Sequence, residues 1–297
     1  MSPRSILAIT DFSKQGADAF HRAELLAAEH GAMLQQVSPA HSNEDLLRNA
    51  RAADLVVWGS APVRSLRTLF LGQPVEELLR RVQRPVLLVR SPVERPYRSL
   101  LVAVDFSEAS PALVDVGLSI SKTAPVELFH AVNTLNERKL RQADVSEHVM
   151  KTYREQCLRY AQDRMVRLTD SYEARRNRVQ SAIGRGDPSL QALVQQQRSR
   201  ADLIVVGKHP ASAFSDLMFE SVASRIVRLS ADDDARTDVL IVPHDWQPAL
   251  SPSAAARLAT GQPIARRVRA GEPMAPAGPN PAALSQIRQL CTPGGHR

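Results

Sequence analysis

One phrase occurs twice in this chain. Ser5-Ile-Leu-Ala-Ile-Thr-Asp-Phe-Ser13 returns, lightly altered, as Ser99-Leu-Leu-Val-Ala-Val-Asp-Phe-Ser107. Two further echoes follow in the same order. Ala53-Asp-Leu-Val-Val-Trp-Gly59 matches Ala201-Asp-Leu-Ile-Val-Val-Gly207, and Pro85-Val-Leu-Leu-Val89 matches Asp238-Val-Leu-Ile-Val242. Three matched segments in one order mark an internal duplication, which rules out reading the chain as one large unrepeated domain. The copies are unequal. About 48 residues separate the first echo from the second in copy one and about 102 in copy two, so copy one lacks a block of roughly 54 residues.

At 297 residues there is room for two such units, each with a core of its own. A hydrophobic content of 43% with 23% charged residues is that of a soluble globular protein. Aromatics make up only 4%, so the cores must be built from Leu, Val, Ile and Ala. No apolar run approaches the roughly 18 residues of a membrane span, and Met-Ser-Pro-Arg at the start lacks the apolar segment of a secretory signal. Cys157 and Cys291 form no ligand spacing. A cytoplasmic location without membrane association is the expectation. The formal charge of +7 raises the question of nucleic acid, but about +4 of it lies after His244, where six Arg face two acids. A basic tail touches polyanions without specificity, so no specific nucleic-acid partner is expected.

Copy two alternates strands and helices. Leu100 to Val104 is apolar throughout, as suits a central parallel strand covered on both faces. Ser107 reads as the cap of a helix bearing Ala112, Val116 and Ile120 on one face. A strand at Val126 to His130 follows. The next helix runs from about Ser146 to Ser171, with Val149, Tyr153, Cys157, Ala161, Met165 and Leu168 at helical spacing. A strand at Val179 to Ile183 leads through Gly184-Arg-Gly-Asp-Pro188 into a helix ending near Gln197. A strand at Leu203 to Val206, a helix from about Phe214 to Leu229, and a strand at Val239 to Val242 complete a doubly wound unit. Copy one gives strands at Ile6 to Thr10, Met33 to Val37, Leu55 to Trp58 and Val86 to Val89. Helices are expected at about Ser13 to His30, Glu44 to Arg51 and Val75 to Val82. The missing block corresponds to one helix and one strand. The expected division is residues 1–92 as a truncated unit and 93–244 as a complete one. Residues 245–297, rich in Pro, Ala and Arg, are expected to be disordered.

With this order fixed, the residues resemble the universal stress protein family (UspA-like domains). The likeness rests on Val-Asp105-Phe-Ser107, on His130-Ala-Val and on Gly186-Asp-Pro. Ala201-Asp-Leu-Ile-Val-Val-Gly207 and the closing Val239-Leu-Ile-Val-Pro243 complete it. It covers about 145 residues of copy two well and about 90 of copy one in part. The resemblance implies α/β architecture: two doubly wound parallel-sheet domains of adenine nucleotide alpha hydrolase-like type, the first truncated. It further implies that nucleotide, when bound, lies at the carboxyl ends of the strands, and that domains pair through their last strands. A tandem chain can make that pair internally, with Val86–Val89 beside Val239–Val242 as a pseudo-dimer. A homodimer is the alternative.

ATP-binding members of this family carry Gly-x-x-Gly, nine residues, then Gly-(Ser/Thr) after the fourth strand, the glycines letting backbone N–H groups reach phosphate. Copy two opens with Gly207, but the second glycine position holds Pro210 and the third Glu220, followed by Ser221. Proline offers no N–H, and each lost bond to a charged group is worth about 1.5–3 kcal/mol. Glu220 adds repulsion. Copy one has Gly59, Pro62, Gly72 and Gln73 at the same positions. The resemblance implies Asp105 and Asp11 as base or ribose contacts; a strand-end Asp also caps the helix that follows, and Ser13 and Ser107 share that ambiguity. The candidate nucleotide contacts are Asp105, Gly207, Lys208 and Ser221.

No pattern assembles a nucleophile with a base, and none of Gly-x-Ser-x-Gly, the Walker lysine loop or His-Glu-x-x-His occurs. The expected function is therefore that of a non-catalytic stress-response interaction module without a cofactor, its protein partner unnamed. An ATP-binding or other adenine-nucleotide-binding sensor is the alternative. An adenylating enzyme and a basic nucleic-acid binder are weaker readings.

Overall fold

A computed structural model of the chain describes residues 2–11, 13–38, 43–59, 82–172, 178–208, 222–229 and 237–246. Its apolar runs become strands of one sheet: β1 (Ser5–Ile9), β2 (Met33–Val37), β3 (Leu55–Gly59), β4 (Val86–Val89), β5 (Leu100–Ala103), β6 (Val126–Val132), β7 (Val179–Arg185), β8 (Leu203–Lys208) and β9 (Asp238–Pro243). The helices among the described residues are α1 (Lys14–His30), α2 (Asn43–Ala52), α3 (Ser110–Ile120), α4 (Leu135–Gln142), α5 (Glu147–Asp170), α6 (Pro188–Ser199) and α7 (Val222–Leu229). Strand order is β2-β1-β3-β4-β9-β8-β5-β6-β7. Every neighbouring pair is parallel except β4 with β9. The first half thus repeats the order of the second but, among the described residues, has no strand outside β2 equivalent to β7. This matches the block that copy one lacks, and Gln35 and Gln36 of β2 are exposed as an edge strand allows.

The sheet is covered on both faces, which is why its central strands are apolar without alternation. On one face α1, α3 and α5 bury Ala23, Leu26, Val114, Ala161 and Met165 against Ala8, Val57, Leu128 and Val205. On the other, α2, α6 and α7 bury Leu46, Ala192, Ile226 and Val227 against Leu7, Val56, Phe129 and Ile204. Residues 1–246 form one compact unit.

The two halves meet at β4 and β9, where Val86 lies opposite Ile241, Leu87 opposite Leu240 and Leu88 opposite Val239. In the repeated phrase Leu87 and Leu240 occupy the same position, so a pseudo-twofold axis passes between them and the contact is self-complementary. The same axis brings α1 against α3. Glu29 Oε1 accepts hydrogen bonds from Ser121 Oγ (3.2 Å) and from the Lys122 backbone N–H (2.6 Å).

A buried polar knot closes the seam. Asp238, fully buried, accepts from the backbone N–H groups of Arg90 (2.8 Å) and Ser91 (3.1 Å) and from Ser91 Oγ (2.9 Å). Its second oxygen accepts from the Tyr97 hydroxyl at 2.7 Å and faces Arg22 Nε at 3.5 Å. Burial, reinforced by the Asp238 carboxylate, pushes the Tyr97 phenol well above its ordinary value. Burial also lowers Arg90 to about 10 against the pull of Asp238.

Several local expectations change. Ser13 caps α1, its Oγ accepting from the Gly16 N–H at 3.1 Å, but Ser107 does not cap α3. That helix starts three residues later, after Ala109, without a side-chain cap. Met150, not Val149, faces the core from α5, since Val149 is exposed. No apolar stripe announces α4. It is held through Glu137, which accepts from Arg154 Nε (2.9 Å) and Arg185 Nε (3.0 Å). Of the helix expected over 214–229 the described part is Val222–Leu229, and the one expected over 75–82 lies outside the described residues except for Val82.

Candidate functional site

The carboxyl ends of β5, β6, β8 and β9 bring together Asp105, His130, Gly207, Lys208 and His244. In a doubly wound sheet this is the end where strand order reverses and ligands settle. Asp105 follows β5, and its Oδ1 accepts from the Ser107 N–H at 2.9 Å and from Ser110 Oγ at 3.0 Å. The first of these bonds is an Asx turn, which fixes the loop before α3. Phe106 then takes a left-handed conformation (φ 61°), uncommon for a bulky residue. Its carbonyl accepts from Arg164 at 2.7 Å, and its ring rests on that of His130 with centroids 4.1 Å apart.

His130 lies two residues before the end of β6, with Nδ1 2.8 Å from the Val104 carbonyl. A carbonyl only accepts, so Nδ1 carries the proton and a neutral ring presents Nε2 as its acceptor. Burial lowers the His130 pKa, outweighing the Val104 bond and the Asp105 charge that raise it.

Gly207 and Lys208 end β8. The His244 N–H donates to the Lys208 carbonyl at 2.9 Å, which sets the imidazole directly over Gly207. A Cβ built on Gly207 would stand 2.6 Å from His244 Nε2. The same Nε2 lies 3.7 Å from Asp105 Oδ2. Asp105 and Gly207 therefore converge on one imidazole, which occupies the space between the ends of β5 and β8, while Lys208 holds the His244 backbone. His244 escaped the sequence reading because it stands alone after the last strand, outside any motif. Its only signal was its place, one residue beyond the Pro243 that closes the repeat.

Ser221 lies outside the described residues, as do Pro210, Glu220, Pro62, Gly72, Gln73 and the tail from 247 onward. The first half closes its equivalent cleft by other means. Asp11 Oδ1 accepts from the Ser13 N–H at 3.0 Å and pairs with the Ser13 hydroxyl. A Cβ on Gly59 would stand 2.3 Å from the Gln15 carbonyl and 2.9 Å from the Gly16 nitrogen, so the first turn of α1 packs on the end of β3. Among the described residues no cluster of His, Cys, Asp and Glu could hold a metal ion, and no helix is long and apolar enough to cross a membrane.

A sheet of this order, with its cleft at the strand ends, defines a doubly wound α/β protein. Residues 96–243 match the family model of the Universal stress protein family, and this segment of the chain belongs to that family. Among solved structures, it is similar to a functionally unknown protein from Pseudomonas aeruginosa PAO1 (17% identity, TM-score 0.56), covering 82% of this chain and 93% of that one. A putative universal stress protein from Pseudomonas aeruginosa UCBPP-PA14 gives 17% identity and a TM-score of 0.56, covering 82% and 94%. A universal stress protein from Archaeoglobus fulgidus DSM 4304 gives 13% identity and a TM-score of 0.55, covering 82% and 97%. At these identities the likeness concerns the fold alone. No curated protein matches the sequence.

Proposed function

We propose that the chain is a non-catalytic universal stress protein, a cytosolic interaction or regulatory module whose strand-end clefts are not nucleotide sites. The observation that carries this reading is the His244 imidazole over Gly207, in the space a ligand needs. The closed first turn of α1 over Gly59 supports the same reading for the first half. Pro210 and Glu220, where ATP-binding relatives have glycines, support it from the sequence.

A second reading is an adenine-nucleotide sensor using Asp105, Gly207, Lys208 and Ser221. It draws on Asp105 and Gly207 both meeting His244 at one spot. Displacing that ring would leave a carboxylate and a backbone without a side chain facing the same space.

Thermal melting with and without millimolar ATP separates the two, because a ligand at 100 times its Kd adds about 2.7 kcal/mol. No shift and no nucleotide released from the denatured purified protein are expected. A shift abolished by Asp105→Ala would establish the sensor instead.

A further inference from the structure

A cavity of about 480 Å³ lies at the opposite end of the second half, by the amino ends of β5, β8 and β9. Residues 91–98, which link the halves, form one wall of it; Arg22 of α1 and Arg200 at the end of α6 contribute from either side. Its size is that of a small-molecule site. Four arginines line it, Arg22, Arg95, Arg98 and Arg200, against two acids, Glu94 and Asp202. Asp202 is already committed, accepting from the Arg98 backbone at 2.8 Å and facing its guanidinium at 3.4 Å.

The remaining cations are set differently. Arg22 is buried and rigidly held: one terminal nitrogen donates to the Arg95 carbonyl at 2.9 Å, and the guanidinium stacks on the Tyr97 ring at 3.9 Å. Its Nε is buried, makes no hydrogen bond among the described residues and faces the Asp238 carboxylate at 3.5 Å. The Arg95 and Arg200 side chains make no hydrogen bond or ion pair to a described residue. Arg200 also occupies the left-handed cap of α6 (φ 54°), a position glycine fills at less cost. Asp238 balances the Arg22 charge and Asp202 that of Arg98, so Arg95 and Arg200 against Glu94 leave one positive charge in excess. A cavity so lined, with a fixed guanidinium in its wall, suits an anion. The planar fork of arginine matches phosphate oxygens in pairs.

We infer that this cavity at the joint between the halves binds a small phosphate-bearing anion through Arg22, Arg95 and Arg200. The site is separate from the strand-end cleft and does not depend on how that cleft is read. A ligand there touches α1, the linker and α6 together, so it stiffens the joint.

The test is calorimetric titration of the full chain with inorganic pyrophosphate at constant ionic strength, with sodium chloride as control. The variants are Arg95→Ala/Arg200→Gly and Asp105→Ala. Arg95 and Arg200 are exposed, and glycine suits the backbone at 200, so the double variant keeps its fold; circular dichroism checks this. Saturable binding by the wild type, weakened at least tenfold in the double variant and unchanged in Asp105→Ala, is expected. No saturable binding, or binding that survives in the double variant, overturns the inference. ATP as a second probe serves the same end: loss in Asp105→Ala but not in the double variant would assign phosphate to the strand-end cleft and overturn it.

Discussion

His244 Nε2 stands where a side chain at position 207 would begin, 2.6 Å from a Cβ built on Gly207. The contact predicts a coupled pair. Gly207→Ala alone should cost about 1–3 kcal/mol by overpacking, because the ring is also tied to Lys208 through its backbone. In Gly207→Ala/His244→Ala most of that penalty should vanish. Urea unfolding of the four proteins of the cycle measures it, and simple additivity would show that the two residues do not meet in solution.

Asp238 gathers two arginines, a tyrosine and two backbone N–H groups at the seam, with no access to solvent. Replacing it by Asn leaves Arg22 and Arg90 buried without their counter-charge. Removing one partner of a buried ion pair typically costs about 3–5 kcal/mol. Asp238→Asn should lower the denaturation midpoint accordingly, while Asp54→Asn, at a part-buried carboxylate on the opposite half, should cost far less.

Leu87 and Leu240 face each other across the pseudo-twofold axis and are both fully buried. Truncation of either to Ala should destabilise by about 2–5 kcal/mol. Because they share one contact, the double variant should lose less than the two single losses together. Chemical denaturation decides this. A neutral Leu240→Ala would mean that the seam contributes nothing to stability.

Acid should weaken the protein in two windows. Burial lowers His130 in the folded state, so below about 6.5 the unfolded chain takes up a proton that the folded chain resists, and stability falls as pH falls. For Glu137 burial acts upward, but the hydrogen bonds and charges of Arg185 and Arg154 outweigh it and leave the carboxyl below its ordinary value. Asp187 is likewise lowered: burial raises it, and the Leu190 and Ser189 N–H groups together with Arg225 more than offset that. The stability these two contribute is present above about 4 and is lost as pH drops through their folded values. Urea midpoints against pH should show both steps. In Glu137→Gln the lower one should shrink, and an NMR titration of His130 should have its midpoint below that of a free histidine.

The strands were legible because a doubly covered sheet needs continuous apolar runs, and Leu100–Val104 or Val239–Val242 has few other uses. The shortened first half was legible because the spacing between repeats differs. What escaped depends on contacts between distant segments. The α4 helix carries only Leu135 and Leu140, too few for an apolar stripe, and is held through Glu137 meeting Arg154 and Arg185, a pairing with no local signature. Val149 and Met150 differ by one step, about 100° around α5, which a pattern of threes and fours does not resolve. At the candidate site Asp105 and Gly207 could be read from the repeat and Lys208 from its place as a cation beside Gly207, whereas His244 could not. The arginine cavity draws on α1, the linker and α6, so no window of sequence contains it.

The self-matching seam between β4 and β9 has a kinetic meaning. Residues 90–99 tether the two halves, so β4 and β9 meet at the high effective concentration of an intramolecular contact instead of at the concentration of the protein. Dilution, which parts two separate subunits, leaves this contact intact. The apolar rows Val86–Val89 and Val239–Val242, which would be adhesive edges on isolated halves, stay capped by one another at any expression level.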